Sequence, residues 1–145
     1  MVRALRKIIH QLAEKPKMLF LVDSLGAMLT AFLLFVVLRN FNEYFGMPKT
    51  ILTYLSMIAA IFCIYSTACF LFLKDDWAPF IKAITIANLL YCILTIGLVI
   101  INFPVLTIIG IAYFLVEIAI LCGLVYIEFK AATVIKQNGM KHRSP

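Results

Sequence analysis

The sequence predicts an all-α membrane protein: a four-helix transmembrane bundle preceded by an amphipathic helix lying in the membrane interface. Three observations carry this. Hydrophobic residues make up 64% of the 145-residue chain and charged residues 14%, whereas soluble domains are about half apolar and about a quarter charged. The apolar residues are gathered into four long stretches, at about 18–38, 50–73, 80–101 and 105–129, each long enough to cross a hydrocarbon core of about 30 Å. The segments between them are short, so consecutive helices are expected as antiparallel neighbours. Helices are expected because each satisfies its own backbone hydrogen bonds in lipid.

Residues 1–17 form the first unit. Val2, Leu5, Ile8, Ile9 and Leu12 fall on one helical face, and Arg3, Arg6, Lys7, His10 and Glu14 populate the other, the pattern of an interfacial helix. Pro16 interrupts it before the first span. A cleaved signal peptide fits poorly, since the stretch at 18–38 is 21 residues long and lacks a clear small-x-small cleavage site. The bundle occupies 18–129. Phe41, Tyr44 and Phe45 in its first connection read as an aromatic belt. In the second, Asp76 is placed to cap the third span and Trp77 suits the interface. In the third, Pro104 is placed to start the fourth span. Residues 130–145 read as a basic tail, disordered from Gln137 onward. No internal repeat is evident.

The formal net charge is +6, and its distribution is informative. All of the 13 Lys and Arg residues except Arg39 and Lys49 fall on one side of the predicted topology. The positive-inside rule then places both termini in the cytoplasm, as a multi-pass protein of an inner or plasma membrane. The terminal clusters suit anionic lipid headgroups. Nucleic acid is not expected, because no basic reading face with interleaved polar or aromatic residues exists.

The residues with chemical potential lie inside the spans. Glu117 is an acid about 12 residues, or about 18 Å, from either end of its apolar stretch. A carboxylate at that depth is costly unless it is protonated or partnered. Gly110, Tyr113, Glu117, Leu121, Leu124 and Glu128 share a stripe that should face the bundle interior. Glu128, near the helix end, reads as solvated or paired with Lys130. Asp23, Asn88 and Tyr65 are candidates to converge with Glu117 on one polar strand in the cytoplasmic half, and Tyr91 continues the face of Asn88. Each also has a plain structural reading: Glu117 and Asn88 as interhelical hydrogen-bond formers, Asp23 as a cap or a partner of Lys17, and serines and threonines bonding back to their own helices. Gly26, Gly97, Gly110 and Gly123 read as close-packing positions.

Several classes are excluded. His10 and His142 lie outside the spans, Cys63, Cys69, Cys92 and Cys122 form no C-x-x-C pair, and no G-x-S-x-G, P-loop or H-E-x-x-H occurs. No cofactor and no metal site is expected, and no catalytic set is visible. The first functional reading is therefore a non-enzymatic structural or accessory membrane protein. The alternative is a small proton-sensitive transporter or channel using Glu117, and a third is an enzyme acting on lipid or quinone. A homodimer or a larger membrane complex is an expected partner, since four helices enclose little space.

Overall fold

The computed structural model of the chain describes residues 1–143, in which six helices follow one another: α1 (Val2–Glu14), α2 (Pro16–Leu38), α3 (Asn42–Phe45), α4 (Lys49–Phe72), α5 (Trp77–Asn102) and α6 (Ile108–Arg143). Four of them, α2, α4, α5 and α6, are long and apolar enough to cross a membrane, and the chain is a multi-pass membrane protein on that ground. Each of the four starts within a few residues of its predicted start.

The ends of the helices have local causes. Pro16 stands in the first turn of α2, where its missing N–H is no loss. The last part of α2, Leu33–Leu38, is π-helical, with Arg39 N–H reaching back to Leu34 O at 3.1 Å. That insertion leaves Leu34 and Leu38 both buried. Gly46 ends α3 at φ +80°, a left-handed conformation that favours glycine. A Cβ at position 46 would also collide with Val105 O, so the α3 corner and the α5–α6 turn are built against each other. Gly110 does the same for α6, because its missing side chain admits Phe45 O.

Five local expectations are corrected. α6 starts at Ile108, because Phe103, Pro104 and Val105 form a turn and Thr107 caps the helix by accepting Gly110 N–H at 3.1 Å. Asp76 precedes α5 in a left-handed conformation, and its side chain makes no cap bond. The tail is helical to Arg143, since α6 continues without a break; Ser144 and Pro145 lie outside the described residues. Of the four glycines expected to permit close packing, Gly110 does so, whereas Gly26, Gly97 and Gly123 face open space. Phe41 and Tyr44 are exposed as a belt requires, but Phe45 turns partly inward onto Tyr113, with ring centroids 6.2 Å apart.

α2 packs along α4 and α5 along α6, and the two hairpins meet more sparsely. Two apolar clusters close the ends of the bundle. At the terminal end stand Leu19, Phe20, Cys69, Ile81, Ile84, Ala131 and Ala132. At the opposite end stand Leu34, Leu38, Met47, Leu52, Leu55, Leu106 and Phe114, with Tyr91 reaching in. α1 rests on the C-terminal part of α6, with Ile9 buried and Leu12 and Ile135 packed on the terminal cluster. Lipid is as apolar as these side chains, so the clusters hold the helices by close van der Waals packing.

Candidate functional site

A polar layer lies one helical turn inside the terminal cluster. Each spanning helix supplies one member next to one of its cluster residues: Asp23 after Phe20, Ser66 before Cys69, Asn88 after Ile84 and Glu128 before Ala131. Positions three or four apart share a helix face, so the stripe that packs the cluster also aims these groups inward. The Asn88 amide Nδ2 donates to Asp23 Oδ1 at 2.8 Å and to Glu128 Oε1 and Oε2 at 3.5 and 3.4 Å. Ser66 Oγ donates to the other Asp23 oxygen. A single amide thus bridges two carboxyl groups and ties the α2–α4 hairpin to the α5–α6 hairpin. Ser24 and Thr67, with hydroxyls 2.6 Å apart, add a second link between α2 and α4.

This layer departs from two expectations. Asp23 bonds neither a backbone cap nor Lys17; it turns inward to Ser66 and Asn88. Glu128 is fully buried under the Asn88 amide, while Lys130 lies over the Tyr126 ring, 5.8 Å from its centroid. Glu128 belongs to the stripe running through Glu117, and its three-residue spacing from Ala131 is the signal that could have found it. Thr53, Ser56, Thr85, Thr95 and Thr133 do bond back to their own helices.

Glu117 sits deeper. Along α6 it is separated from Glu128 by about 16 Å of helix at the usual rise per residue. It is 7% exposed. Tyr91 OH donates to its Oε1 at 3.3 Å. Its Oε2 is buried and has no hydrogen-bond partner. Tyr113, one turn before it, packs edge-on against Phe114 with centroids 5.2 Å apart.

Glu117, Asp23, Asn88, Tyr91 and Tyr113 all line one cavity of about 210 Å³ between the two hairpins. Apart from Thr30 on α2 its remaining walls are apolar, with Phe62 and Ala59 from α4, Leu33 from α2 and Leu121 and Leu124 from α6. No Lys, Arg or His lines it. Tyr65 does not line it either; its hydroxyl lies 3.4 Å from Phe80 O, to which it donates. The structure therefore brings five of the six candidate residues to one space and leaves Tyr65 out.

The two acidic features differ in chemistry. The Asp23–Ser66–Asn88–Glu128 layer is bonded internally through the Asn88 amide N–H groups and the Ser66 hydroxyl. Glu117 keeps one acceptor oxygen unused in a low-dielectric space, where a lost hydrogen bond is costly. A proton removes its charge, and a guest carrying a donor or a positive charge satisfies it. Among the described residues, no group of three or more His, Cys, Asp or Glu is placed to hold a metal ion. Cys92 and Cys122 are free thiols with sulfurs 3.7 Å apart on the outer side of the α5–α6 pair. Comparison with protein-family models, with curated proteins and with solved structures finds no match.

Proposed function

We propose that this chain is a small proton-sensitive membrane carrier in which Glu117 holds alternately a proton and a cationic guest. One observation carries the reading: the buried Glu117 Oε2 has no partner, and Glu117 lines a cavity that no basic side chain lines. A neutral, protonated Glu117 is compatible with an empty apolar cavity, whereas an ionised one calls for a counter-charge. Proton and guest then compete for one carboxyl group, the minimal requirement for exchanging one against the other. Both termini face the cytoplasm in this reading, with the basic ends against anionic headgroups.

The test is uptake of radiolabelled benzylamine into proteoliposomes holding an outward proton gradient. Uptake that collapses with the gradient and is abolished in Glu117→Gln supports the carrier. Equal uptake by both proteins, or none above empty liposomes, contradicts it.

A second reading rests on a different observation. The Asp23–Ser66–Asn88–Glu128 layer is fully bonded across four helices, as suits a bundle kept for its shape, either as a structural protein or as an accessory to a larger complex. In that case Glu117→Gln changes stability alone.

A further inference from the structure

We propose that the guest reaches Glu117 sideways, from the hydrocarbon of the bilayer between α2 and α6, and that it is an amphiphilic amine. Its protonated head occupies the cavity and its apolar tail remains in the lipid. This rests on the reading of Glu117 as a binding group.

The route follows from which wall is missing. The floor of the cavity is made by Ala59, Phe62, Asn88 and Tyr91 on α4 and α5, of which Ala59, Asn88 and Tyr91 are buried. The rim is made by α2 and α6, which belong to different hairpins and do not pack along one another. Rim residues Leu29, Val116 and Ile120 are 58%, 60% and 67% exposed. Gly26, also on the rim, carries no side chain, and a Cβ there meets nothing within 4 Å. Both ends of the bundle are stopped by apolar clusters, so the side is the open direction. Apart from the Thr30 hydroxyl, the exposed rim residues are apolar, so the opening faces lipid with little polar barrier.

The chemical class follows from what the cavity lacks and how large it is. Glu117 Oε1 is held by Tyr91, which leaves Oε2 as the free acceptor. An N–H donor satisfies that atom, and a positive charge compensates a carboxylate that no lining cation balances. The rings of Phe62, Tyr91 and Tyr113 on the same cavity favour an ammonium group by cation–π attraction. A quaternary ammonium has the charge and lacks the donor; an alcohol has the donor and lacks the charge. The volume of about 210 Å³ compares with the ~150 Å³ engineered cavity that takes up benzene. It admits a compact head, and a long tail must lie outside.

The experiment uses the full chain in nanodiscs and dodecylamine with a photoreactive diazirine on its tail. After illumination, adducts are located by mass spectrometry. The expected adducts lie on α2 and α6 at the rim, around Leu29, Val116 and Ile120. Glu117→Gln should lower labelling about tenfold, the loss of a charge-assisted hydrogen bond. Gly26→Trp places a plug in open space, so it should leave the melting temperature unchanged and lower labelling at least fivefold. Dodecanol should not compete, and dodecyltrimethylammonium should compete more weakly than dodecylamine. If Glu117→Gln abolishes labelling and Gly26→Trp does not, the sideways route is wrong and the Glu117 site stands. If Glu117→Gln labels like the unaltered protein, the site itself is wrong. If dodecanol competes as well as dodecylamine, the amine assignment is wrong.

Discussion

Replacing Asn88 by leucine should be among the most damaging single changes in the bundle. Leucine shares the branched shape of asparagine and is larger by about two methylene groups, so the change removes hydrogen bonds without opening a cavity. What disappears is the amide that donates to Asp23 at 2.8 Å and to Glu128 at 3.4–3.5 Å. Hydrogen bonds between helices in a bilayer are worth about 0.6–1.7 kcal/mol each. Leaving a buried acceptor without a donor adds about 1–3 kcal/mol. The expected loss is therefore about 2–4 kcal/mol, read by reversible unfolding in mixed micelles of mild detergent and dodecyl sulfate. The same logic makes a less obvious prediction. Removing all three groups together, as Asp23→Leu, Asn88→Leu and Glu128→Leu, should destabilise by less than Asn88→Leu alone, because no carboxyl group is then left unsatisfied. Ser66 can turn back to its own helix, as the neighbouring threonines do. A triple variant less stable than the single one, or an Asn88→Leu protein within about 0.5 kcal/mol of the original, would refute the bridging argument.

Two further outcomes follow from the fold. Gly46→Ala forces a side chain onto a residue at φ +80° and against Val105 O, and should destabilise by about 1–3 kcal/mol in the same unfolding assay; no change would mean that the α3 corner is free to move. Single cysteines placed at Glu14 and Lys141 should react with an impermeant maleimide only from the cytoplasmic side, and one placed at Glu43 only from the other; reaction of all three from one side would contradict the four-span topology.

Much of the fold was legible because lipid imposes simple rules. Twenty or so apolar residues with short connections dictate spanning helices, and the structure has four of them. Helix ends were harder to read. Pro104 resembles a helix start, yet the turn at Phe103–Val105 and the Thr107 cap move the start of α6 to Ile108. The tail looked disordered because it is polar, whereas a helix already running through Glu128, Ala131 and Ala132 needs only propagation to reach Arg143. The site was legible in depth and not in rotation. The inward face of Glu117 and Asn88 could be read from the burial cost of polar groups. Glu128 lies on the inward stripe of Glu117, and only its place near the end of the apolar stretch makes it read as solvated. The exclusion of Tyr65 depends on how α4 is turned about its axis, by about 100° per residue. A hydropathy pattern that is apolar all round does not specify this. The cavity arises from how two hairpins fail to close along α2 and α6, a property of packing between segments distant in sequence.

The most direct test of the account is carbodiimide modification in membranes across a range of pH, with each carboxyl group read separately by mass spectrometry. The reagent attacks protonated carboxyl groups in apolar surroundings. Glu117 lines the cavity and has an unpartnered oxygen, whereas Glu128 is fully buried under Asn88. Glu117 should form an adduct that fades as pH rises and is blocked by dodecylamine, with Glu128 unmodified. An unmodified Glu117 at every pH, or modification of Glu128 in its place, would contradict it.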